Sequence, residues 1–100
     1  MVKVGIWVQL QAKEGKEDEV EEFLRSGEAL VADEPGTTAW FALKIGPGKY
    51  GIFDAFADDE GRDAHMNGEV AKALMAKAED LFESAPEIDR PEILASKLPA

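Results

Sequence analysis

Proton chemistry in this chain would fall on its only histidine, His65. Imidazole titrates near neutral pH without perturbation, so it can take a proton from a weakly acidic hydroxyl and later return it. His65 stands in the run YGIFDAFADDEGRDAHMNGEVAKAL, Tyr50 to Leu74, which passes from an apolar strand through an acidic turn into a helix. Tyr50 and Asp54 are auxiliary polar candidates in the same run, and each reads first as a strand residue with structural hydrogen bonds. The bland alternative for His65 is a partly buried ring that bonds a backbone carbonyl and fixes the start of the helix. Its pairing with Asp63 or Glu69 reads as helical surface charge rather than a metal site. Asp58, Asp59 and Glu60 read as a solvated helix cap rather than a catalytic carboxylate pair. Ser26, Ser84 and Ser96 have no neighbouring base to activate them.

The elements that must position His65 follow from periodicity. Val2, Val4, Ile6, Val8 and Leu10 alternate with Lys3, Gly5, Trp7, Gln9 and Gln11, the period of a strand with one aliphatic face. Ala12 to Lys16 forms a turn, and Glu17, Asp18 and Glu19 suit the positive end of a helix. Val20, Phe23, Leu24, Leu30 and Val31 form that helix's apolar stripe. Gly27 within it costs on the order of 1 kcal/mol relative to alanine, which points to a close approach or a bend. Pro35 and Gly36 end it. Thr37 to Ile45 reads as a second strand, with Ala39, Phe41, Leu43 and Ile45 on one face and Trp40 and Ala42 on the other. Gly46-Pro47-Gly48 supplies a hairpin turn into a third strand, Tyr50 to Phe56, which is apolar on both faces. The same glycines lack the strand-to-helix setting of a phosphate loop. A second helical region follows, interrupted at Asn67-Gly68, with Val70, Leu74, Ala78, Leu81 and Phe82 as its stripe and Pro86 as its stop. Ile88 to Pro91 reads as a connector and Glu92 to Leu98 as a fourth strand.

This order predicts an α+β, ferredoxin-like βαββαβ domain spanning residues 1–100, with two helical regions on one face of a four-stranded antiparallel sheet. Trp7, Trp40 and the doubly apolar third strand then leave large hydrophobic groups for the other face. A bare apolar sheet face is a patch that monomers seldom tolerate, so a homodimer joined through its sheet faces is expected, with both tryptophans buried there. Twenty-one acidic residues against eleven basic ones give a formal charge of −10. Such a field repels phosphate backbones and anionic lipid, so neither nucleic acid nor membrane is an expected partner. There is no cysteine, and hence no disulfide framework or thiolate nucleophile. A reducing cytoplasm is the simplest compartment, and Met1 leads straight into the first strand without the pattern of a signal peptide.

The runs EPGTTAW, YGIFDAFADDEGRDAHMNGEVAKAL and PEIDRPEILASKL resemble the antibiotic biosynthesis monooxygenase family, small dimeric α+β barrels that include quinol monooxygenases. The resemblance covers nearly the whole chain. It implies a pocket inside each subunit, between sheet and helices, with His65 near its mouth or wall. It also implies oxidation of a small hydroxyaromatic, quinol- or anthrone-like, by dioxygen without flavin, haem or metal, because the ionised substrate can itself pass an electron to oxygen. His65 would be the base or the hydrogen-bond partner of the ionised hydroxyl, and Val8, Phe41, Phe53, Met66 and Leu74 would be the apolar walls. Haem-degrading relatives use an asparagine on the first strand and a tryptophan and a histidine on the second helix. Those positions fall here at Val8, His65 and Met75, and all three depart from the pattern. The alternative from another class is a non-enzymatic dimeric module that binds a small apolar ligand.

Overall fold

A computed structural model describes residues 1–99 of the chain. The elements run β1 (Val4–Gln11), α1 (Glu17–Val31), β2 (Thr37–Gly46), β3 (Lys49–Phe56), α2 (Asp59–Met66), α3 (Glu69–Leu81) and β4 (Glu87–Asp89). The four strands form one antiparallel sheet in the order β2-β3-β1-β4. This is the ferredoxin-like arrangement, with the central pair β1 and β3 separated in sequence by a helix and a strand.

Register decides which residues share a face, because residues directly opposite each other in an antiparallel pair point the same way. Val8 opposes Ile52 and Ile6 opposes Asp54, while Trp7 and Phe41 both oppose Phe53. The first set faces the helices. There Ile6, Val8, Leu10, Tyr50, Ile52 and Phe56 join Val20 and Leu24 of α1 and Leu74 and Leu81 of α3 in one buried core. Phe56 and Val20 are fully enclosed. The second set forms the outer face, where Phe41, Leu43 and Ile45 of β2 are exposed.

Two expectations are corrected. Trp40 lies on the helix side of β2, packed against the core, and does not join Trp7 on the outer face. Its ring lies over Gly27, where a β-carbon would come within 3.0 Å of Trp40 Cζ2, so the glycine in α1 serves a close approach. The fourth strand is Glu87–Asp89 and not Glu92 to Leu98. Pairing with β1 is carried by the segment between Pro86 and Pro91. Its continuation makes only Gly5 N–H to Pro91 O, Ile93 N–H to Lys3 O and an isolated bridge from Glu92 to Val4. Leu94, in the expected strand, is almost wholly exposed.

The Asn67-Gly68 interruption divides the second helical region into α2 and α3. Asp58 caps α2 by accepting a bond from Gly61 N at 2.8 Å, and Asp59 and Glu60 complement its positive end. Arg62 bonds Gly5 O at 3.3 Å and Asp59 at 3.2 Å, tying α2 to β1. The short helix thereby holds His65, its one buried residue, against the ring of Phe56 at 5.4 Å between centroids.

Phe56 is the hinge of this packing, fully buried and in contact with both sheet core and His65. Phe56→Ala is expected to cost about 3–5 kcal/mol, the range for emptying a buried phenylalanine site, read from urea denaturation midpoints at unchanged slope.

Candidate functional site

Three segments distant in sequence meet at His65. Asp54 comes from the middle of β3, His65 from the last turn of α2, and Glu34 from the connector between α1 and β2. The imidazole lies between the two carboxylates. Its Nε2 is 2.7 Å from Asp54 Oδ2 and its Nδ1 is 2.5 Å from Glu34 Oε1. Thr37, the first residue of β2, donates its hydroxyl to the same Glu34 oxygen at 2.8 Å and lies 3.5 Å from Nδ1. Side-chain exposure rises along the row, from 1% at Asp54 through 7% at His65 to 18% at Glu34.

Burial acts first on His65 and disfavours its cation. The two carboxylates outweigh it, Asp54 before Glu34, through hydrogen bonding and charge, and they raise the imidazole above its ordinary value near 6.5. The Asp54 contact is close but off the line of a regular hydrogen bond. Among the described residues neither oxygen of Asp54 has an aligned donor, and Oδ1 has no charged partner either. A buried carboxylate oxygen without a donor is costly in a static fold and useful where a ligand brings the donor.

A cavity of about 450 Å³ opens between the sheet and the helices on the Asp54 side of the ring. Ile6, Val8 and Ile52 floor it, Met66, Val70 and Leu74 wall it, and Asp54 and His65 are buried titratable residues in its lining. Lys72 stands on its rim with a largely exposed side chain. The volume is within the range of small-molecule sites and admits a fused aromatic ring system. Val8, Met66 and Leu74 are therefore brought together with His65. Phe41 and Phe53 are not. Both lie on the outer face of the sheet, since β2 and β3 pair with Phe41 directly opposite Phe53 and Trp7 opposite Phe53 on the other side. Trp40 lines the cavity in their stead, with its indole Nε1 buried and without a protein partner.

On the other side of His65 lies a separate cleft of about 340 Å³ bounded by Glu34, Asp33, Pro35, Thr37, Ala64 and Glu69. Tyr50 is not part of either space. It donates its hydroxyl to Glu21 at 2.6 Å, and burial together with that carboxylate pushes it up to about 12.

Asp54, an auxiliary polar candidate in the sequence and read there first as a structural strand residue, carries a further signal in its position. It is the one charge among Tyr50, Ile52, Asp54 and Phe56, the set that faces the core. Glu34 carried none, being one acid among many after a helix. Among the described residues no group of three or more metal-ligating side chains is placed to hold an ion, and no helix is long and apolar enough to cross a membrane.

A group whose pKa is raised by folding contributes stability that is complete below its unfolded value and is lost as pH rises through the folded value. Unfolding free energy should therefore decline from about pH 6.5 upward until His65 has titrated, with a slope of at most about 1.4 kcal/mol per pH unit from this group. Because His65 is the only histidine, denaturation curves can be matched to a single imidazole resonance. A flat profile through that titration would show that the carboxylates do not stabilise the cation.

No protein-family profile matches the chain, and no curated protein matches it. Solved structures do. A Nitrosomonas europaea protein of unknown function is 54% identical, with 100% of this chain and 97% of that one covered and a TM-score of 0.97. A Caulobacter crescentus protein named as a candidate antibiotic biosynthesis monooxygenase is 23% identical over 94% of this chain and 92% of its own, with a TM-score of 0.79. A second Nitrosomonas europaea protein of that name is 17% identical over 92% and 99%, with a TM-score of 0.80. At these lower identities the likeness is one of fold. The chain thus belongs to one family with the first Nitrosomonas europaea protein and is built on the fold of the antibiotic biosynthesis monooxygenases.

Proposed function

We propose that the protein is a cofactor-independent monooxygenase that oxidises a small hydroxyaromatic, quinol- or anthrone-like, with dioxygen. The observation that carries this reading is an apolar cavity of about 450 Å³ whose wall holds one buried acid–base pair, Asp54 and His65. The cavity binds the rings against Val8, Met66 and Leu74, and the pair receives the hydroxyl. Loss of the hydroxyl proton makes the substrate electron-rich enough to give one electron to dioxygen. The resulting substrate radical and superoxide combine to form a carbon–oxygen bond. Protonation of the peroxide and cleavage of its O–O bond, with loss of the remaining hydrogen on that carbon, release water and leave a carbonyl. For an anthrone the balance is CH₂ + O₂ → C=O + H₂O, in which the four electrons lost by carbon are those gained by oxygen. The chain's part is to ionise, orient and keep water from the intermediates.

A second reading, a small-ligand-binding module without turnover, is favoured by the fact that both ring nitrogens of His65 already face carboxylates. Oxygen uptake decides between them. With hydroquinones, naphthalene diols and anthrones, the wild type is expected to exceed the autoxidation rate, and folded His65→Ala is expected to lose about a hundredfold or more of it, the lower range for a lost acid–base group. No uptake with any of these substrates favours the binding module.

We further infer that the outer sheet face pairs with a second copy of the chain, in a reducing cytoplasm that suits a protein without cysteine. Phe41 and Ile45 are more than half exposed, Leu43 is exposed beside them, and Trp7 and Phe53 lie on the same face. Water-facing groups of that size in one patch favour a symmetric partner. Sedimentation at micromolar concentration should show a dimer, and a monomer there would refute the inference.

A further inference from the structure

The structure assigns the proton-accepting role in the cavity to Asp54 and makes His65 its fixed counter-cation, held in that state by Glu34 from outside the cavity. This assignment deepens the hydroxyaromatic reading above and rests on it for the identity of the substrate group. Three observations carry it. Both imidazole nitrogens sit within 2.7 Å of a carboxylate oxygen, so the ring presents no free lone pair to a ligand. Asp54 lines the cavity, is 1% exposed, and has an Oδ1 with no partner among the described residues. Glu34 borders the opposite cleft and does not line the cavity, so it can touch His65 but not the substrate.

In the resting site His65 carries both ring protons while Asp54 and Glu34 are ionised. A bound hydroxyl donates to Asp54 Oδ1. Its O–H bond breaks, the proton stays on Asp54, and the electron pair remains on the substrate oxygen beside the imidazolium. The same proton returns from Asp54 to the peroxide as water forms, so the pair ends a cycle as it began. Asp54 is the catalytic group here. Glu34 is a positioning residue, with Thr37 orienting its Oε1 at 2.8 Å. The charged groups that face the ring are Asp54 from β3 and Glu34 from the α1–β2 connector, with Asp33 and Glu69 bordering the outer cleft and Lys72 at the cavity rim.

The test combines nitrogen-15 NMR of the single histidine with oxygen uptake and binding of 1-naphthol, using the full chain and three conservative variants, Asp54→Asn, Glu34→Gln and His65→Gln. In the wild type both ring nitrogens are expected to be protonated at neutral pH. Glu34→Gln should move the imidazole titration downward and carry the alkaline limb of the rate profile down with it, and an unmoved titration would overturn Glu34's part in the assignment. Asp54→Asn should lose about a hundredfold or more of turnover and most of its naphthol binding, with a cooperative thermal transition retained. Turnover by Asp54→Asn within about threefold of wild type, alongside its loss in His65→Gln, would return the base to His65 and overturn the assignment while the monooxygenase reading stood. A wild type inactive on every substrate would sink that reading instead. The NMR would still decide the charge state, because a ring with one bare nitrogen at neutral pH overturns the assignment on its own.

Discussion

The fold depends on one buried imidazole held between two carboxylates. Asp54 sits in the centre of the sheet, between Ile6 and Trp40 in register, on the face that the helices cover. A carboxylate there without a counter-charge would cost several kcal/mol and would drive the helices apart or draw water in. The imidazole of His65 lies 2.7 Å from it, Glu34 lies 2.5 Å from the ring's other side, and the two carboxylates together raise the ring's affinity for a proton. The trio therefore has a structural consequence as well as a chemical one. It fixes the last turn of α2 over β3 and binds the end of α1 to both, which sets the floor and one wall of the cavity.

The two faces of the sheet answer to different demands. Helix-side residues form one buried cluster that includes Phe56 and Val20. The outer face is flatter. A β-carbon at Gly51 would fall 2.5 Å from Trp7 Cη2, so the indole lies down across the strand above that glycine instead of standing off the sheet. Flat aromatic groups laid along a sheet leave a surface that a second such surface can meet closely, whereas β2 alone contributes the protruding Phe41, Leu43 and Ile45.

Period-two patterning in β1 and the Gly46-Pro47-Gly48 turn made strands and hairpin legible, because side-chain alternation and turn chemistry are local. What was not local was misread. Placing Phe41 and Phe53 beside Val8 mixed the two faces, and only the pairing of Val8 with Ile52 and of Trp7 with Phe53 shows it. The fourth strand went astray for a related reason. Glu92 to Leu98 has an acceptable alternation, but a three-residue strand bounded by prolines is chosen by what β1 can pair with and not by its own composition. In the site, His65 was conspicuous as a lone residue type. Asp54 was legible only through its parity with Ile52 and Phe56, and Glu34 was invisible because its role is created by the approach of α2 to the α1–β2 connector.

Charge also narrows the ligand. In the assignment proposed above, two carboxylates and one imidazolium leave the site with a net negative charge, inside a chain that is itself at −10. An anionic ligand would meet that field at the mouth and again at Asp54, where low dielectric makes repulsion strong. A neutral ring bearing a hydroxyl meets apolar walls and a carboxylate oxygen in want of a donor. In the proposed reaction the negative charge it acquires on ionisation appears only as Asp54 becomes neutral, so the net charge of the occupied site does not change during the transfer. A site that keeps its total charge constant while moving a proton has little solvent to reorganise, and this is the advantage of holding the acceptor and its counter-cation together in a dry cavity.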